Sequence, residues 1–272
     1  MAHEFETLNQ AASALLVETC ALLNDRGLGY VVAGGWVPVL RSTGSDLVHP
    51  GTRDVDVLFN DDRQAIRSAV ECMLKNGFIL SAKHEFQLLR TLRVASREFV
   101  FNVDLMHPLE ASANSEMFQD ILDLEIRSDY DENRPKVKSI CFPSSAIIFE
   151  QTLWSKFDVG GISLNGMATS CAVPLMDEVG LVLSKAISVK QQKRPRDAFD
   201  IYYVLANPNG SHISAQLVQL GQKFPQVSEQ LAHLRRYLTE SQPTFDANVA
   251  KYLGKYLPPV APSEYVRTML FP

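Results

Sequence analysis

Tyr30-Val31-Val32-Ala33-Gly34-Gly35-Trp36, followed after a gap by Arg53-Asp54-Val55-Asp56-Val57-Leu58-Phe59, is the part of the sequence that decides the fold. The first stretch reads as a buried strand running into a Gly-Gly turn. Trp36 to Leu40 then begins a short helix, in which Pro38 is tolerable only because it falls in the first turn. The second stretch alternates, so Asp54 and Asp56 point to one face of a strand while Val55 and Val57 point to the other. Residues 42–52 between the two are rich in Gly, Ser, Asp and Pro and read as a loop.

Working outward, residues 5–26 carry Leu8, Ala11, Ala12, Leu15, Leu16, Leu22 and Leu23 at helical spacing, with Gly27 as the stop. Asp61-Asp62 caps a helix over 63–76 that Asn76-Gly77 closes. Phe86 to Val94 and Glu98 to Met106 are predicted strands that pair across Ala95-Ser96-Arg97. The polar stretch 109–137 has no clear period, and Ile121 to Ile126 fits strand or helix. Val137 to Phe142 and Ile162 to Val173 read as extended, with Phe157-Asp158-Val159-Gly160-Gly161 as a turn. After Pro174 the period becomes helical, over about 175–190, 196–206, 212–221, 226–240 and 244–256. The expected fold is α+β: a mixed-sheet domain over 1–173, then a helical domain over 174–272.

At 272 residues and 46% apolar content the chain can bury a substantial core. A net charge of −5 excludes a bulk electrostatic grip on any nucleic acid and leaves room only for local basic patches. The N-terminus has no basic region followed by an apolar stretch, and no segment approaches the length of a membrane span, so a cytoplasmic protein without membrane contact is expected. Cys20, Cys72, Cys141 and Cys171 are far apart, with no Cys-x-x-Cys pair, and read as reduced, mostly buried thiols.

Two carboxylates on one strand face repel each other, and a hard divalent cation, magnesium or manganese, offsets that cost most readily. Alone, Asp54 and Asp56 read first as a solvated edge strand with alternating polar residues. Their context points further. A buried strand ending in Gly34-Gly35 lets backbone pass close to a phosphate. A third carboxylate, Asp104, lies in Phe99-Val100-Phe101-Asn102-Val103-Asp104-Leu105-Met106, where it shares a face with Asn102 and Met106 while Val103 and Leu105 enter the core. Arg53, just before the pair, can orient a phosphate or a carboxylate.

These elements resemble the DNA polymerase β-like nucleotidyltransferase superfamily, in which a Gly-Gly or Gly-Ser turn, an Asp-x-Asp strand and a later acidic strand position build the site. The resemblance implies a nucleotidyltransferase core with Mg²⁺ or Mn²⁺ held by Asp54, Asp56 and Asp104. It also implies an NTP donor bound near Gly34, Gly35, Arg53 and Lys185, and hydroxyl attack on the α-phosphorus with release of pyrophosphate. Gly35 departs from the serine that many members carry, which removes a hydroxyl contact to the phosphates.

A second segment, Lys185 to Asp200, has five basic and two acidic residues in sixteen positions. Its Lys185, followed by Arg196-Asp197-x-x-Asp200, is similar to the Lys…Arg-Asp-x-x-Asp motif of the abortive-infection nucleotidyltransferase toxins of the AbiEii/AbiGii type. That resemblance implies that Lys185 contacts the triphosphate, that Asp197 is catalytic with Asp200 structural, and that the helical domain completes the nucleotide and acceptor cleft. It further implies a bacterial toxin or phage-defence enzyme with an antitoxin partner, acting on the 3′ end of tRNA or on a protein hydroxyl. Two alternatives stay open: an aminoglycoside or lincosamide nucleotidyltransferase, and a degenerate, non-catalytic binding module. His84 and His107 lie near predicted strands and are candidates for the cleft. Tyr202 and Tyr203 read as one core and one surface residue, and Trp36 as a packing anchor beneath the turn.

Overall fold

The computed structural model of the protein describes residues 3–42, 46–60, 62–108, 121–125, 136–142 and 145–271. In chain order the elements are β1 (Glu4–Phe5), α1 (Leu8–Asp25), β2 (Tyr30–Ala33), α2 (Trp36–Arg41), β3 (Val55–Phe59), α3 (Arg63–Lys75) and β4 (Ile79–Leu80). There follow β5 (Gln87–Val94), β6 (Arg97–Pro108), β7 (Ile121–Glu125), β8 (Lys136–Phe142), α4 (Ser145–Glu150), β9 (Trp154–Ile162) and β10 (Ala168–Met176). Helices α5 (Glu178–Ser188), α6 (Pro195–Ala206), α7 (Gly210–Lys223), α8 (Pro225–Glu240), α9 (Gln242–Ala250) and α10 (Pro262–Leu270) complete the chain. The fold is α+β, a mixed sheet followed by a run of packed helices. It divides into two compact units, one of Met1–Trp36 with Gly51–Leu175, the other of Val37–Pro50 with Met176–Pro272.

Among the described residues of the first unit, ten strands form one sheet in the order β1-β5-β6-β3-β2-β10-β9, with β4 on β5, β8 on β6 and β7 on β8. Strand β3 runs antiparallel to β2 and parallel to β6. Every residue of β2 is buried, and in β3 every residue except Asp56. This is the signature of strands covered on both faces. Helix α1 lies against β5 and β9 and packs on α3. Its start is a capping box, in which Thr7 Oγ1 accepts from Gln10 N at 3.2 Å and Gln10 Oε1 accepts from Thr7 N at 3.3 Å. Helix α3 is capped by Asp62, whose Oδ1 accepts from Gln64 N and Ala65 N, and it turns Ile66, Ala69, Val70 and Met73 inward.

The second unit is organised on α6, in which Ala198, Phe199, Ile201, Tyr202, Tyr203, Val204 and Leu205 are all buried. Helices α5, α7, α9 and α10 pack on it. Segment 37–50 is tied to this unit by Arg41 Nε, which donates to Met176 O at 2.8 Å, and by Tyr203 Oη, which donates to Ser42 O at 2.9 Å.

Some sequence expectations are corrected. Phe157 to Gly161 is not a turn but the middle of β9, because Gly160 and Gly161 sit there in extended backbone beside the inward-facing Val159. The chain reverses at Ser163–Met167 instead, where Ser163 N donates to Met167 O at 2.8 Å and Gly166 takes φ +85°. The helix expected from 175 starts at Glu178, since β10 continues through Pro174 to Met176 and Asp177 supplies the cap by accepting from Gly180 N. Tyr202 and Tyr203 are both buried, because packed helices surround α6. Of the polar stretch 109–137, Ile121–Glu125 is strand, and 109–120 and 126–135 lie outside the described residues. Cys20, Cys72 and Cys171 are free and buried. Among the described residues no helix is long and apolar enough to cross a membrane.

Candidate active site

The buried run Tyr30–Ala33 delivers Gly34 to the end of β2 with φ +68°. A Cβ at Gly34 would fall 1.8 Å from Asp56 Oδ2, so only glycine fits: its missing side chain is the space that the Asp56 carboxylate fills. Trp36, the buried residue just past the turn, donates from Nε1 to Asp54 O at 2.9 Å. The tryptophan expected to be an anchor is one, and what it anchors is the backbone of the Asp-x-Asp stretch.

One row of residues crosses four strands. Ala33 of β2 lies opposite Asp56 of β3, Asp56 opposite Asp104 of β6, and Asp104 opposite Gln87 of β5. Residues opposite each other in neighbouring strands point to the same face, with strands about 4.8 Å apart. The register therefore sets two carboxylates side by side. Asn102 Nδ2 donates to Asp104 Oδ1 at 2.8 Å. Burial, and then the charges of Asp56 and Asp54, push the Asp104 carboxyl up to about 7, against the pull of its bonds to Asn102 and Gln87. Asp54 is exposed, one residue before β3 begins, and so is Arg53.

This donor set, oxygen-only and electrostatically frustrated, suits a hard divalent cation. Among the described residues, however, no three His, Cys, Asp or Glu side chains are grouped closely enough to hold a metal as they stand. The ready pair is Asp56 with Asp104, and Asp54 reaches it through charge.

The second group lies in the helical unit. Lys185 of α5 sends its Nζ to Asp197 Oδ1 at 2.5 Å and to Asp200 Oδ2 at 2.8 Å, both on α6. The three-residue spacing of the aspartates puts them on one helix face, and Lys185 lies against it. Ser188 Oγ donates to Asp197 Oδ2 at 2.5 Å. On the other oxygen of Asp200, His49 Nε2 stands at 3.0 Å and Arg196 Nε at 3.6 Å. Lys185, Asp197 and Asp200 are 8%, 5% and 0% exposed. Burial works against charge on Asp200, but Lys185, His49 and Arg196 outweigh it and hold the carboxyl well below the usual carboxylate range. Burial likewise opposes charge on Lys185, and Asp197 and Asp200 overcome it, raising its pKa. Burial is the leading influence on His49, whose pKa falls despite Asp200; Arg196 and Lys185 push the same way. A neutral His49 facing an ionised carboxylate must carry its proton on Nε2 and donate it.

Of the residues expected in a site, Gly34, Asp56 and Asp104 are brought together with Asp54 beside them, and Lys185 and Asp197 are brought together in the other unit. The Lys185 ammonium is committed to two carboxylates. Asp200 is as central as Asp197, Arg196 lies with them as its place in the motif suggests, and His49, Ser188 and Gln87 join groups in which the sequence did not place them. His107 is not at either group: its buried Nδ1 meets Ser139 Oγ at 2.9 Å. His84 packs its ring 5.5 Å from that of Phe86. Gln87 could be found from sequence once Ala95-Ser96 alone is taken as the β5–β6 turn, which fixes the register. No local pattern marks His49. No protein-family model matches this chain, and no curated protein matches it in sequence.

Proposed function

We propose that the chain is a divalent-cation-dependent nucleotidyltransferase that moves an NMP from an NTP to a hydroxyl of a macromolecule. The observation that carries this reading is the row Asp56–Asp104 beside Gly34: two carboxylates forced together, one of them held near pKa 7, next to backbone with no side chain. Asp54, Asp56 and Asp104 are the residues that would hold Mg²⁺ or Mn²⁺, with Asp54 moving in from its exposed position. Such ions, when bound, neutralise charge on the transferred phosphoryl group and activate the attacking oxygen. Gly34 and Gly35 leave room for the phosphates, and Arg53 offers a cation at the rim. In the reaction the acceptor oxygen bonds to the α-phosphorus, the bond from that phosphorus to the bridging oxygen breaks, and pyrophosphate leaves. The hydroxyl proton passes to water or to a nearby carboxylate.

Lys190, Lys193 and Arg194 are exposed at the turn from α5 to α6, which supports a tRNA 3′ end as acceptor ahead of a protein hydroxyl. A bacterial toxin role with a neutralising partner follows from the resemblance of the Lys185–Asp200 motif alone. One observation favours a second reading, a non-catalytic module of the same fold: the three aspartates are not already gathered as a metal group. The test is incubation of the protein and its Asp56→Asn and Asp104→Asn variants with each α-labelled NTP and Mg²⁺, with tRNA, cell protein and aminoglycosides in separate reactions. Label transferred by the parent and lost in both variants supports the enzyme. Label in no reaction, or equal label with the variants, overturns it.

A further inference from the structure

We infer that Asn102 is a positioning residue, holding the Asp104 carboxylate in one orientation so that a divalent cation meets a preset ligand. The cation rests on the nucleotidyltransferase reading of the aspartates; the bond from Asn102 to Asp104 does not.

Strand β6 reads Arg-Glu-Phe-Val-Phe-Asn-Val-Asp-Leu-Met-His-Pro, and asparagine and aspartate are among the residues that strands least favour. Their positions, 102 and 104, share the sheet face that carries Asp56. Neighbours on one strand face stand about 6.6–6.8 Å apart, a gap that two short polar side chains close between them. Asn102 Nδ2 donates to Asp104 Oδ1 at 2.8 Å, and among the described residues this is the one hydrogen bond its side-chain amide makes. On β5 the residue opposite Asn102 is Leu89, whose side chain offers no polar group. The amide is therefore spent along the strand, on the carboxylate. Packing does not ask for it, since at this half-buried position an aliphatic residue would suit the strand better.

A carboxylate that is free to turn loses that freedom on binding a cation, and the loss weakens binding. Asn102 removes the freedom beforehand. Gln87 of β5, opposite Asp104, adds a second hydrogen bond to the same carboxyl. Both partners are neutral amides. They orient the carboxylate and leave its charge for the cation, whereas a lysine or arginine in either place would compensate that charge itself.

The experiment compares the full chain with Asn102→Leu, which keeps the shape without a donor, and Asn102→Gln, which keeps the donor on a longer arm. Mn²⁺ binding is titrated by calorimetry at about pH 8, where protons compete little, with and without a non-hydrolysable ATP analogue. The expected result for Asn102→Leu is a dissociation constant for Mn²⁺ higher by about 10–100-fold, with a metal-free melting temperature no lower than the parent's. Its nucleotidyl transfer should be slow at low Mn²⁺ and regain the parent's kcat once Mn²⁺ is raised by the same factor. Asn102→Gln is expected to bind Mn²⁺ within a few-fold of the parent. Equal affinity in the parent and Asn102→Leu overturns the positioning role and leaves the nucleotidyltransferase reading standing. Affinity lost as fully in Asn102→Gln, or a rate in Asn102→Leu that excess Mn²⁺ does not restore, also overturns the role. If the parent binds Mn²⁺ but transfers no nucleotide, the nucleotidyltransferase reading falls and the affinities alone decide Asn102. A parent that binds no Mn²⁺ under either condition overturns both. Should Asn102→Leu not fold, Asn102→Val takes its place in the same comparison.

Discussion

Gly34 and Asp56 occupy one another's space, and this makes the smallest substitution in the site a severe one. Gly34→Ala must both strain a backbone at φ +68° and displace the Asp56 carboxylate from 1.8 Å away. A cost of about 1–3 kcal/mol in unfolding free energy is expected, read as a lower urea midpoint, together with loss of nucleotidyl transfer. Asp104 makes a prediction about pH. Its folded pKa, about 7, lies above its ordinary 3.8, so between those values the folded state holds a proton that the unfolded state has released. Stability from this group therefore falls as pH rises through that window. On the proposed reading, a divalent cation would replace the proton and remove the penalty. Mn²⁺ should raise the melting temperature more at about pH 8 than at about pH 5, and Asp104→Asn should abolish the difference.

At the scale of elements, the α5–α6 pair is held by charges buried in its seam. Asp200→Ala leaves Lys185 with one of its two carboxylate partners and Arg196 and His49 with none of this one's charge. Breaking a buried pair in this way costs about 3–5 kcal/mol, measurable by chemical denaturation. Acid acts on the same seam in two stages. His49 has a folded pKa below its ordinary 6.5, so the unfolded chain takes up the proton first and stability declines as pH drops below that value. The depressed carboxyl of Asp200 contributes stability above the ordinary carboxylate pKa and loses it only at stronger acid. His49→Phe should flatten the first stage and weaken the second, since His49 is one of the groups that lower the Asp200 carboxyl. The β5–β6 hairpin offers the opposite kind of change, since its turn places Ala95 at φ +46° and Ser96 at φ +64°. Ala95→Asn suits that backbone better and should add about 0.4–1 kcal/mol. The same turn shows what a sequence conceals. Period-two alternation made β3 and β6 legible with their inward valines and shared aspartate face, but a turn of Ala and Ser carries no glycine or asparagine signal, and the register that puts Gln87 beside Asp104 depends on it. Gly160-Gly161 misleads in the other direction, because glycine permits a turn without demanding one. The basic Lys185 motif was legible as a local spacing of twelve residues, whereas His49 and Asp200 are 151 residues apart and no periodicity connects them.

Across the whole molecule, the helical unit is discontinuous: Val37–Pro50 belongs with Met176–Pro272. A fragment of 176–272 would lack Arg41, Ser42 and His49, which pair with Met176, Tyr203 and Asp200 in that unit, and is expected to be helical by circular dichroism but to melt without a sharp transition. Adding a peptide of 37–50 should restore cooperativity; a sharp transition in the fragment alone would count against the need for the insert. A discontinuous unit also imposes an order in time. The ribosome finishes the sheet unit at Leu175, while the early segment carrying His49 must wait for α6 before it finds Asp200. At ordinary synthesis rates the stretch from Leu175 to the end of α6 takes roughly 2–6 s to appear. Through that interval the paired aspartates exist on a nascent protein in which the bond from His49 to Asp200 cannot yet form.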